Sequence, residues 1–282
     1  MVLRFGDRAP SHWLCRKCGL EQIAPQPDDQ TLAGIYDASY FAHYQNTVDP
    51  QIVRAMKRAT YTRQLTRLCA KPTGRPRGRL LDCGAATGFL CELAGELGWS
   101  AFALEISAYG AEACAKLLGA NHVYRGEVQG ATFAANTDGQ FEAITMFDFL
   151  EHVRDPLQVL RWAKARLVRG GTLLLSTPRT GSLSWRLMGR QWFHYTSREH
   201  LWFFSPESLK RLLKQSGFSA VEVRPFPKSM AVGYALAHYQ RETSYNRIFS
   251  PLSRWLDSIL GQGLKQQRVW TYLGEMTVLA RT

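Results

Sequence analysis

The sequence predicts an α/β fold in which seven strands form a mostly parallel sheet, with the last strand antiparallel and helices on both faces. Three observations lead to this prediction. Short apolar runs alternate with amphipathic segments from residue 79 onward, as in parallel sheets that are covered by helical crossovers. One run, Leu80 to Leu90, passes through a glycine turn into a helix. Residues 268–281 read as a final strand that returns beside an earlier one.

Each element of this fold has a local signal. We expect strands at 79–83, 100–104, 121–124, 141–147, 171–176, 219–225 and 268–281, and helices at about 87–97, 107–118, 156–168 and 206–216. The helix at 206–216 has the clearest boundaries, because Ser205 is a good N-cap, Pro206 suits the first turn and Gly217 ends the helix. An earlier helix begins at Asp49-Pro50 and ends before Pro72.

Two segments lie outside the predicted core of 49–226 and 268–282. Residues 1–48 are interpreted as an irregular N-terminal extension or lid that contains a Cys15-x-x-Cys18 knuckle. Residues 227–267 are interpreted as a helical insertion before the last strand. Apolar residues such as Trp255 and Ile259 recur in it at one-face spacing, which predicts a lid over a pocket. A surface for a membrane or a partner chain is the alternative.

The formal net charge of +12 is concentrated in residues 161–224, which hold twelve Lys and Arg against three Glu. This excess indicates an anionic partner (an acidic small molecule, a nucleic acid or a membrane surface) or solvated helix faces alone. No stretch approaches the roughly 20 apolar residues that cross a bilayer, so a cytoplasmic location is expected. The six cysteines are scattered as reduced thiols would be. Cys15 and Cys18 could form half of a zinc site, which His12 and one more donor would have to complete.

The glycine turn after the first core strand predicts a nucleoside ligand without phosphates. Backbone N–H groups and the positive end of the following helix dipole allow a nucleotide-like molecule to approach. Asp82, just before the turn, would repel a pyrophosphate but could accept hydrogen bonds from an amine. Glu105 follows the second strand, where a carboxylate can bind both hydroxyls of a ribose.

These residues resemble the motifs of class I S-adenosylmethionine-dependent methyltransferases of the ubiquinone-biosynthesis O-methyltransferase type, which have a Rossmann-like fold. The family's Asp-x-Gly-x-Gly-x-Gly corresponds to residues 82–88, with Ala86 at the middle glycine, and its acidic ribose residue corresponds to Glu105. Its Glu-His pair corresponds to Glu151-His152, and its Leu-x-x-Gly-Gly to residues 167–171. The cysteine knuckle resembles half of a zinc module that precedes this domain in some sugar and natural-product methyltransferases.

The resemblance implies a set of site residues. The cofactor S-adenosylmethionine, which leaves as S-adenosylhomocysteine, is expected to contact Asp82, Gly84, Ala86, Gly88, Glu105, Ile106, Glu127, Met146 and Phe147. The candidate catalytic bases are His152 and His200, because histidine suits proton abstraction near neutral pH. The acceptor is expected to contact Tyr40, Asp148, Arg198 and His194. Asp148, Glu151 and His152 also resemble a divalent-metal site of the family, although metal-free relatives share the Glu-His pair, so metal dependence stays open.

The implied function is methyl transfer to a small-molecule acceptor, most simply at a hydroxyl. An acidic or aromatic acceptor is expected, and Arg186, Arg190 and Arg198 would suit an acidic group. One alternative is a nucleic-acid (RNA) methyltransferase, which the basic half favours. Residues 147–150, however, read Phe-Asp-Phe-Leu rather than the Asn-Pro-Pro-Tyr type that grips a flipped base. A non-catalytic cofactor-binding partner subunit is a second alternative, and an NAD enzyme a third that no further glycine fingerprint supports. Peripheral membrane contact and a homodimer stay open.

Overall fold

The computed structural model describes residues 1–6, 11–34, 50–68, 77–136, 138–195, 199–241 and 250–282. Within these ranges the strands are β1 (Val2–Phe5), β2 (Ser11–Leu14), β3 (Glu21–Ala24), β4 (Arg79–Cys83), β5 (Ser100–Glu105), β6 (Val123–Arg125), β7 (Phe141–Phe147), β8 (Leu167–Pro178), β9 (Trp202–Phe203), β10 (Ala220–Ala231) and β11 (Arg268–Arg281). The helices are α1 (Asp29–Ala33), α2 (Pro50–Leu65), α3 (Phe89–Glu96), α4 (Ala108–Leu118), α5 (Pro156–Arg166), α6 (Leu183–Met188), α7 (Pro206–Gln215), α8 (Val232–Arg241), α9 (Ser250–Ile259) and α10 (Gln262–Gln266).

The main sheet has seven strands in the order β10-β11-β8-β7-β4-β5-β6. The strands from β8 to β6 are parallel, and β11 is antiparallel to both β8 and β10. The predicted fold class is therefore confirmed. After β6 the chain returns to the other side of β4, so the direction of winding changes between β4 and β7. Open α/β sheets bind their ligands at the carboxyl ends of the strands beside such a switch point.

The sheet is covered on both faces because its central strands are apolar on both sides. Leu81, on β4, packs in a cluster with residues of α5 and α7, such as Leu160 and Leu209. Its neighbour Leu80 points to the opposite face and packs with residues of α3, such as Leu93. Strands that are buried on both faces read as continuous apolar runs, which is why the sequence predicted them well.

The N-terminal segment differs from the irregular extension that the sequence predicted. β1, β2 and β3 form an antiparallel sheet with β9, and Ile23 packs there with Trp192, Leu201 and Phe203. These strands have only two to four residues each and depend on partners that are distant in the chain, so no local alternation revealed them. Residues 35–48, part of the predicted extension or lid, lie outside the described residues.

The insertion before the last strand begins as an extension of the sheet. β10 runs to Ala231, six residues beyond the predicted end, and pairs there with the start of β11. Its outer edge is covered by α2, because the Ser229 N–H donates to Thr60 Oγ1 at 2.9 Å. On α9, Trp255 and Ile259 are each 57% exposed and do not line the main cavity. No helix of the described residues is long and apolar enough to cross a membrane.

The glycine turn between β4 and α3 positions the site. Gly84 has φ +75° and a Cβ there would lie 2.7 Å from the Phe149 ring, so no larger residue fits without movement. Ala86 has φ +49°, the left-handed conformation that explains why the family pattern has glycine at this position. An L-residue held in this region costs roughly 1–2 kcal/mol. The substitution of the family's glycine by alanine is therefore accommodated at the expense of stability.

We expect Ala86→Gly to raise the free energy of unfolding by about 1 kcal/mol, because glycine adopts the left-handed conformation without strain. The matched control is Ala85→Gly in the same turn, where φ is not positive. That variant should lower the free energy of unfolding by about 1 kcal/mol, because it adds freedom to the unfolded chain and removes a buried methyl. Urea denaturation of both variants measures the pair, and equal destabilisation by the two changes would contradict this interpretation.

Candidate functional site

A large cavity opens at the carboxyl ends of β4, β5 and β7, at the switch point of the sheet. Its volume of about 1900 Å³ exceeds the roughly 300–1,000 Å³ of a pocket for one small ligand, so it has room for two molecules. One half is lined by the glycine turn and the ends of β4 and β5. The other half is lined by residues that follow β7, by the loop before β9 and by the paired strands β10 and β11.

Two buried carboxylates define the first half. Asp82 Oδ1 accepts a hydrogen bond from Thr145 Oγ1 at 2.7 Å, and burial raises the pKa of Asp82 to about 7. Glu105 Oε2 accepts from the Ala86 N–H at 2.7 Å, and Oε1 accepts from the Ser107 N–H at 2.8 Å. Burial also raises the pKa of Glu105, although these backbone donors oppose the shift. Each oxygen of a carboxylate has two lone pairs, so Glu105 retains capacity to accept from a ligand.

Most of the predicted cofactor residues meet at this cavity. Those that line it are Asp82, Gly84, Ala86, Glu105, Ile106, Glu127 and Phe147. Ile106 is 49% exposed, an apolar surface beside Glu105 that a flat ring could cover. The other two predicted residues do not line it. Gly88 is the N-cap of α3, and a Cβ there would lie 3.1 Å from the Leu117 side chain and 3.3 Å from Cys114 Sγ. The Met146 side chain is fully buried in the core, because it points to the opposite side of β7 from Phe147.

Asp148 comes directly after β7 and is held on several sides. Its φ is +49°, its N–H donates to Ser176 O at 3.1 Å, and Ser176 Oγ donates to its Oδ1 at 2.8 Å. Lys228 Nζ lies 3.6 Å from its Oδ2. Burial alone would raise the pKa of this carboxyl, but the Lys228 ammonium and the Ser176 hydroxyl outweigh it and the pKa is lowered. Asp148 is therefore an ionised group at the boundary between the two halves.

The two predicted catalytic histidines are neighbours in the second half. The ring centroids of His152 and His200 are 4.8 Å apart, and both residues line the cavity. His200 Nδ1 lies 2.9 Å from the backbone oxygen of His194, so Nδ1 carries the proton and Nε2 keeps its lone pair. Burial lowers the pKa of both rings, that of His152 to about 3. Backbone oxygens of Glu199 and Asp148 lie beside the His152 ring and favour its protonated form.

Glu151 joins these rings to form a three-ligand group. One oxygen of Glu151 and one nitrogen of each of His152 and His200 lie within 4.8 Å of one another, and no other such group occurs in the described part of the chain. Glu151 is fully buried, and neither oxygen has hydrogen-bond geometry to a described residue, although the Thr177 hydroxyl is close. One carboxylate and two neutral imidazoles are donors that suit a divalent transition metal. This set differs from the predicted one, because Asp148 is engaged by Ser176 and Lys228 instead.

The cysteine pair does not form a comparable group. The Gly19 N–H donates to Cys15 O and the Cys15 N–H donates to Leu20 O, both at 2.8 Å, which gives a tight turn around Cys18. His12, the proposed third ligand, instead stacks on Phe5 with the ring centroids 4.2 Å apart. Burial lowers the pKa of His12 to about 4. Within the described residues the zinc prediction is thus not confirmed.

The structure describes two of the four predicted acceptor residues. Asp148 and His194 line the cavity, whereas Tyr40 and Arg198 lie outside the described residues. Sequence reasoning missed Lys228 and Glu275, which the antiparallel pairing of β10 with β11 brings to the same wall. The available signal was a charged residue, Glu275, at the start of an otherwise uncharged segment of the last strand, 275–280.

Comparisons with known proteins agree with this geometry. The family model described as a methyltransferase domain matches residues 53–223, more than half of the chain. The ubiquinone biosynthesis O-methyltransferase of Xanthomonas campestris is 36% identical over 109 residues, which cover 36% of this chain and 44% of that relative. The protein of that name from Dinoroseobacter shibae is 29% identical over 189 residues, which cover 64% of this chain and 74% of the relative. The chain thus spans less than half the length of the first relative.

A solved structure extends the likeness to most of the chain. The SAM-dependent methyltransferase of Thermotoga maritima superposes with a TM-score of 0.52 at 18% identity, covering 86% of this chain and 95% of that chain. At this identity the likeness concerns the fold. The family match includes the glycine turn, Glu105 and the Glu151-His152 pair. The chain therefore belongs to the methyltransferase domain family, and it shares the fold of S-adenosylmethionine-dependent methyltransferases.

Proposed function

We propose that the protein transfers a methyl group from S-adenosylmethionine to a hydroxyl group of a small molecule. The observation that carries the oxygen assignment is the lone pair of His200 Nε2 in the buried half of the cavity, which the Nδ1 hydrogen bond to His194 O leaves available as a proton acceptor. The relatives named ubiquinone biosynthesis O-methyltransferase support transfer to oxygen as well.

The first half of the cavity fits the cofactor. Glu105 would accept from the ribose hydroxyls with the lone pairs that Ala86 N–H and Ser107 N–H leave unused. Ile106 would pack against the adenine, and Glu127 lies at the rim near it. Asp82 would accept from the amino group of the methionine part, directly or through water. When bound, S-adenosylmethionine supplies an electrophilic methyl group for an in-line displacement, so the chain mainly has to align and desolvate the reactants.

His200 would act on the acceptor. Its Nε2 would take the proton that the acceptor hydroxyl releases as the oxygen becomes bonded to carbon, and the His194 carbonyl would stabilise the resulting imidazolium through Nδ1–H. His152 would position His200, because its ring packs edge-on against His200 and also bonds to the backbone of Glu199 and Asp148. A divalent metal held by Glu151, His152 and His200 would orient the acceptor oxygen, and His200 would then act as a ligand in place of its role as the base.

The Glu105→Gln variant should bind S-adenosylhomocysteine about ten- to a hundredfold more weakly than the unaltered protein, because an amide loses charge-assisted hydrogen bonds to the ribose. Glu112→Gln is the matched control: Glu112 is an exposed carboxylate on α4 that does not line the cavity, and its loss should change the dissociation constant by less than about threefold. Isothermal titration calorimetry measures both. Equal affinities for the two variants would remove Glu105 from the cofactor site.

Replacing His200 by Gln should lower kcat by about a hundredfold or more, because a general base contributes roughly 10² to 10⁴ in rate. Burial lowers the pKa of His200 from the ordinary value of 6.5, so the ring is neutral at pH 7. Activity should therefore fall only at a pH below 6.5, where the ring becomes protonated and can no longer accept a proton. His152→Gln should reduce kcat less. The assay follows labelled methyl transfer to hydroxylated acceptors, with S-adenosylhomocysteine affinity as the control for folding. Full activity of His200→Gln would exclude the base role.

A further inference from the structure

The small sheet of β1, β2, β3 and β9 is bonded to the segment that carries His194 and His200. We propose that Glu21 of this sheet and Tyr195 are positioning residues for the base. Through them the sheet holds the His194 carbonyl on His200 Nδ1, and so fixes the ring nitrogen that accepts the proton. This inference rests on the proposed function, because it concerns how the base of that reaction is oriented.

Glu21 joins the sheet to this segment through both of its carboxyl oxygens. The residue lies on β3 and is fully buried. Its Oε2 accepts from the Tyr195 hydroxyl at 2.7 Å, and its Oε1 accepts from Arg4 Nη1 of β1. Burial raises the pKa of Glu21, while Tyr195 and Arg4 oppose the shift. Buried polar groups need hydrogen-bond partners, so Glu21 holds the Tyr195 hydroxyl in one place.

The Tyr195 hydroxyl is fixed on its other side as well. It accepts from Trp185 Nε1 at 2.7 Å, and the Arg4 guanidinium carbon lies 4.0 Å from the centre of the Trp185 ring. The hydroxyl hydrogen therefore goes to Glu21, and one lone pair goes to Trp185. The Tyr195 N–H donates to Trp192 O at 2.8 Å. Both the side chain and the backbone of Tyr195 are thus held.

The ring of Tyr195 packs on the small sheet independently of its hydroxyl. Its centroid lies 5.0 Å from that of Phe5 and 4.9 Å from that of His12, both edge-on. Arg186 and Arg190, which the sequence suggested for an acidic acceptor, do not line the cavity, and the Arg190 guanidinium instead lies over the Phe5 ring. A change of Tyr195 to Phe keeps these ring contacts and removes only the hydrogen bonds of the hydroxyl.

The anchored residue controls the oxygen that orients the base. The His194 carbonyl belongs to the peptide group that ends at the Tyr195 Cα, and it lies 2.9 Å from His200 Nδ1. A peptide group is planar, so holding Tyr195 also holds the direction of this carbonyl. A carbonyl only accepts, which places the proton on Nδ1 and the lone pair on Nε2. The opposite tautomer, with hydrogen on Nε2, has no lone pair to offer an acceptor hydroxyl.

The same sheet also holds the residue that follows His200. The Leu201 carbonyl accepts from the Ile23 N–H of β3 at 3.1 Å, and the Leu201 N–H donates to Glu151 O at 2.8 Å. Leu201 is fully buried and packs with Ile23. His200 is therefore fixed both by the peptide that accepts its proton and by the backbone of its neighbour.

The test measures the tautomer of His200 directly and needs no acceptor. The full chain, isotope-labelled at the histidine ring nitrogens and saturated with S-adenosylhomocysteine, is studied by proton–nitrogen correlation NMR, which distinguishes hydrogen on Nδ1 from hydrogen on Nε2. The His200→Gln variant assigns the signals, and a chelator keeps metal ions off the rings. Spectra are recorded at a pH of about 8, above the ordinary pKa of histidine. We expect His200 of the unaltered protein to carry its hydrogen on Nδ1.

Tyr195→Phe should lower the ratio of the Nδ1–H to the Nε2–H tautomer by about three- to tenfold, because one neutral hydrogen bond is worth roughly that factor. Glu21→Gln should lower it too. The amide oxygen can pair with Arg4, but the amide NH2 group then faces Tyr195 and cannot accept the hydroxyl hydrogen. The double variant should show no larger effect than Tyr195→Phe alone, because both changes break the same bond.

Ser11→Ala is the matched control, since it removes a hydroxyl of the same sheet that donates to Gly6 O at 2.9 Å. It should change the tautomer ratio by less than about twofold. A purely structural role of Tyr195 would lower the free energy of unfolding in urea and leave the ratio unchanged. An unchanged ratio in both Tyr195→Phe and Glu21→Gln therefore overturns the proposal, as does an equal fall of the ratio in Ser11→Ala.

The unaltered protein separates this proposal from the proposed function. If its His200 carries hydrogen on Nε2, or if the chain does not bind S-adenosylhomocysteine, the proposed function is rejected. If His200 carries hydrogen on Nδ1 in the unaltered protein and equally in the variants, only the positioning role of Glu21 and Tyr195 is rejected.

Discussion

The site depends on one contact between neighbouring strands, in which the Glu105 carboxylate bridges the N–H groups of Ala86 and Ser107. This contact fastens the glycine turn after β4 to the end of β5, and it leaves the remaining lone pairs at the crevice. Because Glu105 is almost fully buried, the bridge is strengthened by a low local dielectric. Asp82, buried one strand position before the turn, places a second carboxyl beside it. A crevice of this kind suits a neutral sugar and an amine and disfavours phosphates.

In the opposite half of the cavity, charged and polar side chains are also held by hydrogen bonds and ion pairs, but they come from other strands. The paired strands β10 and β11 contribute Lys228 and Glu275, and Asp148 after β7 faces the lysine. His200 is oriented by a backbone oxygen, and burial lowers the pKa of its ring although this hydrogen bond opposes the shift. Charges that would be costly to bury singly are thus compensated in groups.

The sequence was sufficient for the parts of the fold that carry local signals. The strand predicted at 79–83 matches β4, because a strand that is buried on both faces is a run of consecutive apolar residues. The helix predicted at 206–216 matches α7, because its N-cap residue, Ser205, directly precedes it. The small N-terminal sheet was missed because the pairing of Glu21 with Phe203 spans most of the chain. Met146 was assigned to the cofactor with Phe147, although adjacent residues of a strand point to opposite faces.

For the site, motif residues located the cofactor half, while the acceptor half arose from contacts that no spacing encodes, such as that of Lys228 with Glu275.

The central claim is that the crevice beside Glu105 holds an adenosine without phosphates, and a crystal structure of the protein with S-adenosylhomocysteine tests it most directly. The account predicts both ribose hydroxyls within hydrogen-bond distance of the Glu105 carboxylate, with the amino-acid part lying along Gly84 to Ala86. A ribose bound elsewhere, or Glu105 still bonded to backbone alone, would contradict it.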